Sequence, residues 1–508
     1  MTDTNVFDKR AAGVLLSVSS LPGPFGTGVF GREALDFIDR LKRMDFSFWQ
    51  VLPLGPLDRG NSPYCGESAF AGNTLYVDPR GLSGLGLVTD EDIYSCIYRG
   101  SPHTADYGFA RFSRENVLKK AYRTFRENRD AFPLTNDFNE FVKTRPWLRP
   151  YAEFKAKKEL SGGTCWNTWK EELFSERKEE LDNLIEYYSF IQFLFFFQWK
   201  NIKKYANENG IRIIGDMPLY IDYDSADVYS DPGDFQIDPS TFKPEKVAGV
   251  PPDYYSEEGQ LWGNPLYNWT AMKKNGFRWW KERLASALDL YDVVRIDHFR
   301  GLASYWAVPY GAKSAKDGHW EKGPGLELFE AFKEIPGYTK DRLIAEDLGV
   351  FGQDVIDLLR DVGLPGMRVI QFAFDESRAS TNLPHNYDKN SVAYVGTHDN
   401  NTVLGWLWEA DPKEKEFALR YCGFKGTDWE KGGYKSESCR AMTEAVWKSP
   451  AKLSVVSLQD MCGYGKDCRM NTPGEPEGNW LFRTTVEALS GIDEAYYREI
   501  NSIFGRSV

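Results

Sequence analysis

Eight short runs of branched and apolar residues, most of them separated by stretches with helical spacing, confine this chain to a repeating βα pattern. The runs are GVLLSVSS (13–20), FWQVLPL (48–54), IRIIGD (211–216), DVVRIDH (292–298), RLIAEDL (342–348), MRVIQFA (367–373), VAYVGTH (392–398) and KLSVVSLQD (452–460). Amphipathic stretches such as EALDFIDRLKRM (33–44) and RWWKERLASALDLY (278–291) lie between neighbours. Parallel strands with crossover helices are the economical topology for such an order. Eight units close a barrel, so the expected fold is α/β: a (β/α)8 TIM barrel with inserted subdomains.

The whole chain, 1–508, is read as a single catalytic barrel. Two gaps are too long for simple crossovers. Residues 55–180, with charged helical segments such as RFSRENVLKKAYRTFRENRD (111–130), form a mostly helical inserted subdomain between strands 2 and 3, and a hydrophobic helix near 181–208 returns to the barrel. Residues 217–270 form an inserted loop region whose GVPPDYYSEEGQLWGNPLYNW stretch (249–269) is dense in Pro, Gly and aromatic residues. A long irregular loop in a compact enzyme is usually functional, and this one is expected to carry an active-site lid.

Three stretches bring an acid to the end of a β-like run and then break into a loop: Asp297 in VVRIDHFRG, Glu346 in LIAEDLG and Asp399 in AYVGTHDNN. Parallel strands of a barrel deliver catalytic side chains to one face in this way. Side chains alternate faces along a strand, so Val293, Arg295 and Asp297 share one face while Val294 and Ile296 share the other. Arg295 is expected to keep Asp297 ionised by charge proximity, which suits a nucleophile. Glu346 follows Ile344 on its face and comes directly after apolar Ala345, so desolvation is expected to raise its pKa, which suits a general acid. Single acids at strand ends are mostly helix caps or surface ion pairs. Three at barrel spacing, two of them beside His298 and His398 in a chain with 5 histidines, favour a site.

Composition narrows the partners. Aromatic residues make up 15% of the chain, with 16 Trp and 27 Tyr, and flat amphipathic rings are what sugar faces stack on, although most will fill the core. A net charge of −12 argues against nucleic acid and against an anionic membrane surface. The start, MTDTNVFDKRAAG, lacks a basic region followed by an apolar one. The most apolar run, FIQFLFFFQW (190–199), is too short to span a bilayer and reads as a buried helix. The 7 cysteines are scattered without a CxxC, so neither a disulfide framework nor structural zinc is expected, and a cytoplasmic location is.

Longer motifs carry a resemblance. SLPGPFGTG (20–28), SAFAGN (68–73), GDMPLYIDYDSADV (215–228), GVPPDYYSEEGQLWGNPLY (249–267), VRIDHFRG (294–301), AEDLG (345–349), GTHDNNT (396–402) and RMNTPGEPEGNW (469–480) run in order over nearly the whole chain. Together they resemble the 4-α-glucanotransferases known as amylomaltases or disproportionating enzymes. No clustered His or Cys ligands, Gly-rich phosphate loop or dinucleotide fingerprint accompanies the acids, so no metal or organic cofactor is expected. The resemblance implies a retaining α-glucan transferase on a (β/α)8 barrel. It implies maltooligosaccharides and α-1,4-glucans as donors, and glucose or maltooligosaccharides as acceptors. It makes Asp297 the nucleophile, Glu346 the acid and then the base, and Asp399 the carboxylate that grips the distorted sugar. Arg295 supports the nucleophile, His398 binds the same sugar and Tyr64 stacks in the donor subsite. Asp216, Tyr255, Gln260, Trp262, His298, Asp375 and Asn471 fall in motifs that line the groove. The chain departs from the family pattern at Ser17, where a histidine is usual, and in NSPYCGE (61–67).

The residues alone agree with these roles. Retention needs two carboxyl groups roughly 5 Å apart, which adjacent barrel strands can supply, and leaves a third acid for hydrogen bonding to an oxocarbenium-like sugar. The nearest rival is an α-glucan hydrolase of the amylase type with the same carboxylates and water as acceptor. A metal-dependent hydrolase lacks its clustered His ligands. A glucan-binding protein on a degenerate barrel would be expected to have lost an acid, and a Schiff-base enzyme lacks a strand-ending lysine.

Overall fold

The stretch AAGVL is buried at every position, which suits a strand covered on both faces, as parallel sheets are. The computed structural model describes residues 9–58, 60–252, 257–349, 352–375 and 380–507. Its twelve described strands are β1 (Ala11–Leu15), β2 (Phe48–Gln50), β3 (Arg212–Met217), β4 (Lys246–Val250), β5 (Gln260–Pro265), β6 (Val293–Ile296), β7 (Ser304–Pro309), β8 (His319–Lys322), β9 (Leu343–Ala345), β10 (Gly366–Val369), β11 (Ser391–Tyr394) and β12 (Leu453–Ser457). Eight of them form one sheet in the order β10-β11-β12-β1-β2-β3-β6-β9, and every neighbouring pair is parallel. The Ala345 N–H donates to Pro365 O at 2.9 Å, one residue before β10, and so joins the two ends of the sheet. This is the (β/α)8 barrel.

Every barrel strand except β3 is shorter than the run that announced it. Sheet pairing ends after Leu15, and Val18–Ser20 turns into a 3-10 helix. Likewise Ser457 ends β12 by capping the helix Leu458–Met461, its side chain accepting from Asp460 N. Apolar residues past these points still pack at the barrel mouth, so hydrophobicity outlasts the ladder.

The helix Arg32–Arg43 turns Ala34, Phe37, Ile38 and Leu41 inward, the i, i+3, i+4, i+7 stripe of a helix lying on a barrel. Between β2 and β3 lie the helices Tyr107–Glu127, Leu148–Leu160 and Lys178–Glu208, among others. The last contains the FIQFLFFFQW run and is buried on more than one face. Toward the barrel Phe195 and Trp199 meet Phe30, with ring centroids 5.2 and 5.0 Å away. Away from it Phe190 stacks on Phe125 at 4.4 Å. That explains why the run is apolar all round. No described helix is long and apolar enough to cross a membrane.

The reading of 217–270 as irregular is corrected. This region holds β4 and β5, an antiparallel pair that β7 and β8 extend into a four-stranded sheet of order β5-β4-β7-β8. Gly and Pro mask the strands in the sequence. Gly249 is there because the β5 backbone passes so close that a Cβ would lie 2.6 Å from Gln260 O. Register shifts between Val247 and Gly249, so strict alternation is lost.

Candidate active site

Three adjacent strands put their charged ends side by side. Pairing sets Asp216 on β3 opposite Arg295 on β6, and Arg295 opposite Ile344 on β9. One step further along, Asp297 N donates to Met217 O and Glu346 N to Ile296 O, both at 3.0 Å. Asp297 and Glu346 therefore leave neighbouring strands at one level of the C-terminal mouth. Arg295 Nη1 lies 2.7 Å from both oxygens of Asp216 and 2.9 Å from Asp297 Oδ1. The Arg295 and Asp216 side chains are 3% and 0% exposed, whereas Asp297 is 24% exposed and opens onto the groove. Below them Tyr394 on β11 donates to Gln50 Oε1 on β2 at 2.9 Å, a polar tie inside the barrel.

Glu346 is held by backbone donors: His298 N reaches Oε2 at 2.8 Å and Leu348 N reaches Oε1 at 2.7 Å. The first bond depends on a strained residue. His298 has φ of 49°, in the left-handed region that non-glycine residues rarely occupy, and such strain is retained mainly where a site requires it. Burial, and then Arg300, push the His298 imidazole down to about 3, so it is neutral.

The opposite wall is a chain of hydrogen bonds. Tyr64 OH donates to Asp216 Oδ2 at 2.8 Å and lies 2.8 Å from His398 Nε2. Because its proton goes to Asp216, the phenol oxygen accepts from His398, which selects the Nε2–H tautomer. The two rings also stack at 5.1 Å and 16°. Burial lowers the His398 pKa although Asp399 Oδ2 stands 3.3 Å away. Asp399, 42% exposed, is steadied by Asn471 Nδ2, which donates to Oδ1 at 2.6 Å.

Arg295 opposes, without cancelling, the cost of burying the Asp297 charge. Burial, with Asp216, Glu346 and Asp399 nearby, pushes Asp297 up to about 8 against the pull of Arg295. Burial also raises Glu346, against Arg295 and the two backbone donors. Because Glu346 is among the charges that raise Asp297, the two carboxyl groups titrate together and loss of one proton opposes loss of the other. Against its own burial, Asp216 and Asp297 hold the Arg295 guanidinium well above its ordinary range. Removing one partner of a buried pair leaves the other charge uncompensated, and Arg295→Met is expected to destabilise the fold by about 3–5 kcal/mol in a urea titration.

A profile of the 4-alpha-glucanotransferase family matches residues 16–488. The chain belongs to that family. The 4-alpha-glucanotransferase of Thermus thermophilus is 43% identical over 496 residues, covering 95% of this chain and 96% of the relative. That of Clostridium butyricum is 41% identical over 501 residues, covering 97% and 100%. Among solved structures, an amylomaltase from Streptococcus agalactiae in complex with acarbose is 36% identical, with a TM-score of 0.91 and coverage of 98% of this chain and 100% of that one. The amylomaltase of Corynebacterium glutamicum, 19% identical with a TM-score of 0.80, covers 98% of this chain and 76% of its own and shares the fold. The family resemblance read from the motifs is borne out, and with it the reading of the chain as a transferase enzyme on a barrel.

The structure therefore joins Asp297, Glu346, Asp399, Tyr64, Asp216, Arg295, His298, His398 and Asn471 in one network. Gln260 and Trp262 share a face of β5, with Trp262 Nε1 donating to Gln260 Oε1 at 3.1 Å. The Trp262 ring meets His298 edge-on at 4.9 Å and is 38% exposed. Asp375 stands instead on the wall of another cavity, of about 670 Å³, with Asp411, Glu414 and Arg420. Tyr254 and Tyr255 lie outside the described residues. Two side chains escaped the sequence reading. Arg469 Nη2 donates to Asp399 O at 2.6 Å, and Trp480 lies 5.7 Å from the Tyr64 ring. Both belong to RMNTPGEPEGNW, from which only Asn471 was taken, so the motif carried the signal.

Proposed function

We propose that Asp297 and Glu346 perform a retaining double displacement on α-1,4-glucans, moving a segment from a donor maltooligosaccharide or glucan to the 4-hydroxyl of glucose or another glucan. The Asp297 carboxylate attacks the anomeric carbon, the bond to the leaving O4 breaks, and the Glu346 proton passes to that oxygen. In the second half the acceptor 4-hydroxyl attacks the same carbon, gives its proton to Glu346 and releases Asp297. No metal or organic cofactor enters this reading.

The observation that carries the proposal is the pair of carboxyl groups set on neighbouring strands at one level of the mouth, one of them against Arg295. Arg295 lies 2.9 Å from Asp297 and 4.0 Å from Glu346, which favours the negative charge on Asp297 and the proton on Glu346. Such a division gives one nucleophile and one acid at neutral pH. Asp399 takes the hydroxyls of the distorted sugar. Tyr64, Asp216, Arg295, His298, His398 and Asn471 orient that sugar and its neighbours, while Gln260 and Trp262 line a more distant part of the groove. In this reading the chain is one catalytic barrel, with 55–180 as an inserted subdomain and 217–270 bearing the lid. A cytoplasmic enzyme fits the scattered cysteines.

Maltotriose separates transfer from hydrolysis. Transfer conserves reducing ends while hydrolysis adds one for each bond cut. Expected are glucose and a ladder of longer oligosaccharides with total reducing ends nearly constant. The exposed Trp262 beside His298 favours an ordered sugar over water at this wall, so Trp262→Ala is expected to weaken acceptor use or to increase hydrolysis. Reducing ends that climb in step with maltotriose consumption, with no ladder, would identify an amylase-type hydrolase.

A further inference from the structure

Tyr64 is the point at which two walls of the site meet, yet the 61–67 stretch that carries it has neither helix nor strand. A ring on such a stretch must be held by contacts from outside it. Three residues past Tyr64, the Glu67 carboxylate is gripped at both oxygens: Lys158 Nζ stands 2.9 Å from Oε1 and Lys155 Nζ pairs with Oε2. Both lysines come from the inserted helix Leu148–Leu160. Their i, i+3 spacing puts them on one face of a rigid element.

The same helix holds the other half of the Tyr64 contact. Lys158 Nζ also lies 2.8 Å from Asp224 Oδ2, in the loop that follows β3, the strand that carries Asp216. The backbone of the two loops is tied as well, with Ala226 N donating to Glu67 O at 2.8 Å and Ala69 N to Asp227 Oδ2 at 2.9 Å. The loop of Tyr64 and the loop following Asp216 are thus clamped to one helix, and the 2.8 Å bond between them is the apex of that clamp. Against its burial, Lys155 and Lys158 hold Glu67 down to about 2, so its charge persists at every working pH.

From this geometry we infer that Glu67, through Lys155 and Lys158, is a positioning residue that fixes the Tyr64 ring against Asp216 and His398, so that the inserted helix sets part of the donor affinity. The inference rests on the reading of Tyr64 as a ring that binds the donor sugar. Ion pairs this far withdrawn from water repay much of their attraction in desolvation. A two-point grip from a rigid helix instead limits where a loop can go, and small misplacements of a binding group are costly to turnover.

A double-mutant cycle between Glu67→Gln and Tyr64→Ala tests it, read as kcat and KM for maltotriose consumption. Consumption counts transfer and hydrolysis alike, so a chain that proved to be a hydrolase would leave the test intact. Glu67→Gln is expected to lower kcat/KM about tenfold, mostly through KM, with kcat within about threefold of wild type. In the Tyr64→Ala background, where no ring remains to be placed, the same change is expected to cost less than about twofold. Lys155→Gln, which lies outside the loop, should repeat the pattern and serves if Glu67→Gln does not fold. Equal losses in both backgrounds would mean that the network only stabilises the fold, and unchanged kcat/KM in both lysine and glutamate variants would mean that it does nothing for the ring. Either result overturns the inference. If Tyr64→Ala alone leaves kcat/KM unchanged, the reading of Tyr64 fails and the inference falls with it.

Discussion

Asp297→Asn is expected to abolish glucan turnover, by roughly 10⁴-fold or more in kcat, while the protein stays folded. Asparagine is nearly isosteric with aspartate, and Arg295 keeps both of its 2.7 Å contacts to Asp216 when Asp297 is changed. The substitution also removes one acid from a mouth where Asp216, Glu346 and Asp399 already crowd it, so the melting temperature should hold or rise. What is lost is the atom that bonds to the anomeric carbon. No neighbour can replace it: Asp216 is sealed beneath the groove by Arg295 and Tyr64, and Asp399 is turned toward Asn471 and His398. Circular dichroism and kcat on maltotriose, measured on the same preparation, decide the matter. A folded variant that kept a tenth of the activity would show that Asp297 is the wrong residue.

The barrel and its acids were legible for a common physical reason. A strand buried on both faces is written as an unbroken apolar run, and the end of that run at the mouth is where a charge can first be tolerated. Hence Asp297 and Glu346 could be found, and period-two alternation correctly put Arg295 on the face of Asp297. Strand ends were read too long because residues such as Val18 and Leu458 remain buried after pairing stops. The small sheet was missed because its strands are broken by Gly249, Gly263 and Pro265 and are partly exposed, so no periodic signal survives. The upward shift of Asp297 could not be read at all. Sequence shows an arginine two residues away, whereas the acids that oppose it arrive from β3, β9 and the loop after β11, brought together only by closure of the barrel. The Glu67 clamp is illegible for the same reason, since its lysines lie 88 residues and more along the chain.

Glu346→Gln is expected to cost about 10³-fold in kcat with natural glucans, within the range that a positioned general acid supplies. Glutamine keeps one of the two acceptors that His298 N and Leu348 N meet at 2.8 and 2.7 Å in the native site and sets an NH2 against the other donor, so circular dichroism accompanies the kinetics to show that the variant is folded. The loss should depend on the leaving group. A sugar hydroxyl leaves as a poor anion unless it is protonated, whereas an aryl α-maltoside with a nitrophenolate leaving group departs without help, and the variant should retain most of its glycosylation rate on that donor. The pH profile gives the second arm. Asp297, pushed up to about 8, shares its titration with Glu346, so wild-type kcat/KM on glucans should be sustained while the pair holds one proton and fall as pH rises through that region. With the aryl donor and Glu346→Gln no proton is needed, and the Asp297 carboxylate is the only form required. The basic limb should then vanish, leaving a rate that rises to a plateau as Asp297 ionises. Equal losses on both donors, or a basic limb that survives the substitution, would take the acid role away from Glu346 and leave it as a groove-lining carboxylate.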